Sequence, residues 1–255
     1  MFRSLMAASV ATLFLLPFGA QALPSIAVFG GTDGVSGSAH IADELAATGA
    51  FGSVTILTGN ESQATLSSYS SILFYTNVGG DETFANEMAT YVASGGNLVA
   101  ATFLEQANAM GGSNSLGNLN ALMPFTGYNG NYITQVTLGA YNASDPLMAG
   151  VGSLSAFYHD NTSLAPGARL VASWSDGNPL EAVSTSGVTG INLFPDDAYG
   201  YVTGDYVRLF ANALGGVWPT ATGSGGGDGT VPEPAGLALF GGGIGLLGLV
   251  RRRRA

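Results

Sequence analysis

Ser25-Ile26-Ala27-Val28-Phe29-Gly30-Gly31-Thr32-Asp33-Gly34 is a short apolar run that stops in a glycine-rich turn. A run of this kind, without the polar alternation of a half-exposed strand, reads as a strand buried on both faces. Residues 38–48 follow with Ala39, Ile41, Ala42, Leu45 and Ala46 at helical spacing, and Gly49 is the natural stop. Strand, glycine loop and helix open a βαβ unit. Residues 54–57 supply a second strand, and Ile72-Leu73-Phe74-Tyr75, ending at Thr76-Asn77, a third. The grammar then repeats. Residues 81–93 form a helix with Phe84, Met88, Tyr91 and Val92 available to face the sheet, Ser94-Gly95-Gly96 ends it, and residues 97–103 return as a fourth strand. Apolar strands separated by single helices predict a mostly parallel sheet covered on both sides.

From residue 105 to 130 the pattern loosens into glycine and asparagine, which suits either a helix-containing excursion around residues 116–122 or a long surface loop. Residues 132–138 read as an edge strand. Three short strands follow at 169–174, 180–184 and 188–194, the first two joined by Asp176-Gly177-Asn178-Pro179, a turn with hairpin chemistry. Residues 203–214 close the domain as an amphipathic helix with Val207, Leu209, Phe210 and Leu214 inward.

Several of these stretches together resemble the class I glutamine-amidotransferase-like fold, including its ThuA-like branch. They are Ile26 to Gly31, Leu66-Ser67-Ser68-Tyr69 before Phe74-Tyr75, Tyr91-Val92-Ala93-Ser94-Gly95-Gly96-Asn97-Leu98-Val99, Trp174-Ser175-Asp176-Gly177-Asn178-Pro179-Leu180 and Asn192-Leu193-Phe194-Pro195. The resemblance implies a flavodoxin-like three-layer α/β/α sandwich with a mostly parallel sheet. In catalytic members of that fold a cysteine sits on a tight elbow after a strand, backed by histidine and an acid. This chain has no cysteine, so amidotransferase chemistry is excluded on the residues themselves.

Both ends of the chain read as addresses. Arg3 precedes an apolar segment at 5–18, and Ala20-Gln21-Ala22 forms a small-x-small cleavage site, so residues 1–22 are expected to be a signal peptide and Leu23 the mature start. At the other end Val231-Pro232-Glu233-Pro234 is followed by an uncharged apolar run at 235–250 and then by Arg251, Arg252, Arg253 and Arg254. Those 16 apolar residues would rise about 24 Å as a helix, somewhat short of a bilayer core but close enough to predict a transmembrane helix with its arginines held on the cytoplasmic side. The order of box, apolar segment and arginine cluster resembles the PEP-CTERM sorting signal at 231–255. That resemblance implies export machinery and an exosortase-type membrane protease as partners. It also implies an inner-membrane intermediate, then the cell surface, outer membrane or extracellular matrix of a Gram-negative bacterium. Residues 23–218 are left as one domain and 219–230 as a Gly/Ser-rich linker.

Composition narrows the functions open to that domain. There is no lysine, and between residues 23 and 230 only Arg169 and Arg208 stand against sixteen acidic groups, a balance of −14. Such a surface lacks the cations that neutralise phosphates, which excludes nucleic-acid binding. Without cysteine there is no thiol nucleophile, Cys-ligated zinc or iron–sulfur centre.

Candidate chemistry is correspondingly sparse. Gly30, Gly31, Thr32, Asp33 and Gly34 form a possible ligand loop with backbone donors at a helix start, though neither the dinucleotide fingerprint nor a P-loop is present. Asn77 and Trp174 lie at neighbouring strand ends and belong to the same candidate edge. His159, next to Asp160 and near aromatic residues, and Asp176 are the weak catalytic candidates. Asp176, Glu181, Asp196, Asp197 and Asp205 cluster in sequence, and paired carboxylates serve calcium or glycoside hydrolysis. No cofactor is expected, calcium being the one metal the acidic residues suit, and no metal-ligand motif is seen. The favoured reading is an exported, non-catalytic surface or exopolysaccharide-matrix protein with a carbohydrate-binding loop edge. The alternative is a carbohydrate-active hydrolase using acidic residues or His159.

Overall fold

The computed structural model describes residues 22–31, 35–77, 79–195 and 200–218. The chain begins with β1 (Ser25–Phe29), α1 (Val35–Ala47), β2 (Ser53–Ile56), α2 (Gln63–Leu66), β3 (Ser71–Phe74), α3 (Glu82–Ala93) and β4 (Asn97–Ala101). A short α4 (Leu104–Met110) leaves β4 directly and is followed by 3₁₀ turns at Gly112–Asn114 and Gly117–Leu122. Next come β5 (Phe125–Thr126), β6 (Asn131–Tyr132), β7 (Val136–Tyr141), a 3₁₀ turn at Pro146–Met148, β8 (Leu154–Ala156), β9 (His159–Asp160) and β10 (Ser163–Leu164). β11 (Arg169–Trp174), β12 (Pro179–Val183), β13 (Thr189–Ile191), β14 (Val202–Gly204) and α5 (Tyr206–Ala213) complete the domain.

Ten strands form one sheet in the order β14-β8-β7-β11-β12-β13-β4-β3-β1-β2. Side chains alternate across it as a strand's period of two requires. Ile26, Val28, Leu73 and Val99 join a core with Ile41 and Leu45 of α1 and Leu209 and Phe210 of α5. Ala27, Phe29, Ile72, Phe74 and Leu98 point the other way, onto Leu66, Phe84, Met88 and Leu104. The three-layer sandwich is therefore present. Rings anchor the second core, with Phe84 4.1 Å from Phe29 and edge-on to Phe74 at 5.2 Å. The start of α3 is capped by Asp81, whose side chain accepts from the Phe84 backbone N–H at 3.0 Å.

The mostly parallel sheet expected from the sequence is corrected to a mixed one. The segment β2-β1-β3-β4-β13 is parallel throughout and has the flavodoxin-like order. Beyond β13 every pairing is antiparallel, from β12 through β11, β7 and β8 to β14. The physical reason is connection length: hairpin turns such as the one at Asp176-Gly177-Asn178 reverse the chain without the crossover that a parallel neighbour needs. The strand expected at the edge is also displaced, because β7 lies between β8 and β11, and residues 203–204, expected at the start of the last helix, belong to β14 (Val202–Gly204).

The expected transmembrane helix is corrected as well. Among the described residues no helix is long and apolar enough to cross a membrane. Residues 235–250, on which that expectation fell, lie outside the described residues, as do residues 1–21 of the signal peptide expected at 1–22, the sorting-signal residues and Thr32, Asp33 and Gly34.

Candidate functional site

The carboxyl ends of β3, β4 and β13 share one edge of the sheet, the edge at which open α/β folds place ligands. Three segments leave that edge: Thr76-Asn77 after β3, Phe103 and α4 after β4, and Asn192-Leu193-Phe194 after β13. Between them lies a cleft of about 350 Å³ lined by Asn77, Phe103, Gln106, Asn131, Tyr158, Phe194 and Tyr201. Its walls are rings and amides. Phe103 and Phe194 stack at 5.4 Å, and Tyr158 meets Phe103 edge-on at 6.0 Å and Tyr201 edge-on at 4.9 Å. The Asn131 amide donates to Gln106 Oε1 at 2.8 Å. Among the described residues no carboxylate, imidazole or cation lines it.

The elbow after β4, where the resemblance places a nucleophile in catalytic members, presents Phe103. The Thr102–Phe103 peptide there is cis, and the phenyl ring offers an apolar surface instead of a thiol or hydroxyl. Asn77, from the expected loop edge, lies in the cleft. Gly30 and Gly31 are packed from behind: a Cβ on Gly30 would meet the Tyr75 ring at 2.8 Å, and one on Gly31, at φ +74°, would meet Thr76 Oγ1 at 2.8 Å. Trp174 is only 1% exposed, and its indole N–H donates to the Asn192 carbonyl at 2.9 Å, so its ring serves the core beneath the cleft.

His159 and Asp176 are brought together. The fully buried imidazole meets Asp176 Oδ2 through Nε2 at 2.8 Å and stacks on Tyr132 at 5.0 Å, while Nδ1 has no partner. Burial works to raise the Asp176 carboxyl, but hydrogen bonds from Asn178 and His159 outweigh it and hold the group below the ordinary carboxylate range. The other clustered acids separate. Asp205 accepts from the backbone N–H groups of Gly152 (2.9 Å) and Ser153 (2.8 Å), tying that loop to the start of α5. Asp196 and Asp197 lie outside the described residues. Glu181 is fully buried on β12 with neither oxygen hydrogen-bonded; desolvation, with a smaller push from Asp145 and an opposing pull from Arg169, raises it to about 8.

Two further carboxyls were not singled out by sequence. Glu105, at the start of α4, is 6% exposed and Asp160, on β9, 1%. Burial first, and then the proximity of Asp160, raises Glu105 to about 8. Burial raises Asp160 to about 7 against an opposing pull from the Gln106 backbone N–H. The one signal available was position, since both follow strand-end aromatics in segments where turn carboxylates are ordinarily solvated. Among the described residues no group of three or more His, Asp or Glu side chains converges as a metal site.

Comparison with known proteins separates the tail from the body. Residues 230–254 match the family described as the PEP-CTERM protein-sorting motif. No curated protein matches the chain. The body is similar to solved structures at low identity. A protein described as ThuA-like from Bacteroides uniformis has 13% identity and a TM-score of 0.56, covering 79% of this chain and 94% of that one. One similarly described from Parabacteroides merdae has 11% identity and a TM-score of 0.52, covering 79% and 93%. A β-galactosidase from Rahnella sp. R3 has 16% identity and a TM-score of 0.53, but the match covers 76% of this chain and only 31% of that one. At these identities the likeness shows the fold alone. The chain thus carries a PEP-CTERM sorting motif, which marks it for export and for an exosortase-type sorting system, on a ThuA-like, amidotransferase-like fold that has no catalytic cysteine.

Proposed function

We propose that this is a non-catalytic protein of the cell surface or exopolysaccharide matrix, whose cleft holds an uncharged carbohydrate. On this reading residues 1–22 are removed on export, residues 23–218 are the binding body and residues 219–230 a spacer, and the chain is cleaved near Pro232-Glu233-Pro234 on its way to the outer membrane or matrix of a Gram-negative cell. The observation that carries the binding role is the lining of the cleft, where aromatic faces and primary amides stand together and no ionised group is found among the described residues. Sugar rings present C–H faces that pack on aromatic side chains and hydroxyls that pair with amides, and ligand pockets commonly combine an apolar wall with a few polar groups. The acidic body adds a selection, because polymers rich in uronate or phosphate are repelled while neutral ones are not.

A glycan-binding screen on the purified protein tests this, with release of smaller products followed in the same wells. Retention of neutral glycans without product is the expected result. Turnover that disappears in Asp176→Asn or His159→Gln would favour a carbohydrate-active hydrolase, and neither retention nor turnover would leave a purely structural matrix protein.

A further inference from the structure

The polar groups of the cleft face a ligand unequally. Asn131 accepts at Oδ1 from the Tyr128 hydroxyl at 2.7 Å and donates through Nδ2 to Gln106 Oε1 at 2.8 Å. Burial, and then the neighbouring Asp160 charge, raise the Tyr128 phenol above its ordinary value, so it keeps its proton and stays the donor. The chain of hydrogen bonds therefore has one direction, from Tyr128 through Asn131 to Gln106, and each bond polarises the next. It ends on the amide nitrogen of Gln106, a residue that lines the cleft. That NH2 group meets no acceptor among the described residues.

Gln106 is held in place from behind. It sits in the first turn of α4, where its backbone N–H pulls on the Asp160 carboxyl of β9, and Asn131 is paired with Asp160 between β6 and β9. Both ends of the amide bridge are thus fixed by backbone, the condition under which a donor discriminates among ligands. Phe103 and Gln106, three residues apart at the start of α4, stand on one side of it and both line the cleft. Next to that donor, Phe103 stacks on Phe194 and meets Tyr158 edge-on, and the Tyr158 phenol is paired with that of Tyr201. A hydrogen-bond donor therefore stands beside an apolar corner made of rings.

We infer that the cleft selects N-acetylated hexosamine units, the acetamido carbonyl accepting from Gln106 Nε2 and the acetamido methyl packing against the rings of Phe103, Phe194 and Tyr158. The inference rests on the carbohydrate reading of the cleft and narrows it. An amide carbonyl is a strong acceptor that carries its own methyl group, so one substituent meets both features. A plain hexose offers a hydroxyl there and nothing for the rings. A carboxylate would accept as well, but the acidic body repels it.

Calorimetric titration of the purified protein with N,N′-diacetylchitobiose and with cellobiose, which shares its linkage and carries a hydroxyl in place of each acetamide, reads the selection. The acetylated disaccharide is expected to bind about tenfold more tightly, the worth of one hydrogen bond and one buried methyl. Gln106→Glu keeps an oxygen for Asn131 and replaces the donor with an acceptor, and Tyr128→Phe releases the Asn131 amide. Both variants, checked for native circular dichroism, are expected to bring the ratio of the two affinities near unity. Should either fail to fold, saturation-transfer NMR on the wild type decides, with the acetyl methyl expected to be the most strongly saturated group. Equal binding of the two disaccharides, a ratio unchanged in the folded variants, or saturation confined to ring protons would overturn the inference and leave the neutral-carbohydrate reading standing. Binding of neither disaccharide beside retention of other neutral glycans would overturn it likewise, whereas retention of no neutral glycan at all would remove the carbohydrate reading with it.

Discussion

The His159 ring lies 2.8 Å from the Asp176 carboxylate and faces Tyr132, joining two residues that the sequence offered only as separate candidates. The pair has the chemistry of a catalytic dyad but the setting of a structural clasp. His159 is fully buried, neither residue lines the cleft, and the other ring nitrogen meets no partner. Asp176→Ala would leave the imidazole without any hydrogen bond and is expected to cost about 1–3 kcal/mol in urea unfolding at unchanged m-value, while glycan retention by the folded protein persists. A variant of wild-type stability that loses retention would place Asp176 in the binding machinery.

Glu181 gives stability an unusual alkaline limb. Its folded-state pKa, raised to about 8 by burial, lies above its unfolded value, so the fold holds a proton that the unfolded chain releases. That contribution is complete below the unfolded value and is lost as pH rises through about 8. Unfolding free energy is expected to fall between pH about 5 and 8, Glu181 contributing up to about 1 kcal/mol per pH unit beside the like contributions of Glu105 and Asp160, and Glu181→Gln, neutral throughout, to remove its share and make the slope shallower. A Glu181→Gln profile parallel to the wild type would contradict the assignment.

Trp174 and Tyr158 separate packing from binding. Trp174→Ala empties a fully packed site and orphans the Asn192 carbonyl, with an expected cost of about 3–5 kcal/mol. Tyr158→Ala, at the half-buried rim, is expected to cost under about 1 kcal/mol yet weaken glycan retention about tenfold. Chemical denaturation beside affinity electrophoresis checks both.

What was legible in the sequence follows the same division. The parallel half was read from Ile26-Ala27-Val28-Phe29 and Ile72-Leu73-Phe74 because a strand buried on both faces must be apolar at every position. Of the antiparallel half, β11, β12 and the turn between them were read, but the rest was hidden: β8 and β14 have three residues each, too few for a period to appear, and β7 carries Gly139 where Trp174 of β11 crosses close by. The cleft was half visible. Phe103 and Phe194 stand in stretches read as strand, and only the register of β4 and β13 shows that both rings have passed the sheet edge. Glu105 and Asp160 were opaque, since a carboxylate in a glycine- and asparagine-rich region reads as solvated until a neighbouring strand closes over it.

Sorting leaves a mass signature. Intact-mass analysis of protein recovered from fractionated cells is expected to show a species beginning near Leu23 and ending near Pro232, absent from the cytoplasm. Recovery of chain retaining Arg251 to Arg254 at steady state would contradict processing at the Pro-Glu-Pro box.

The most direct test of the binding account is calorimetric titration of the protein with neutral oligosaccharides and with uronate-containing ones of equal length. Heat from the neutral series alone, insensitive to salt and lost in Tyr158→Ala and Phe194→Ala, is the predicted result. Binding that favours uronates and fades with salt, or that survives both substitutions unchanged, would contradict it.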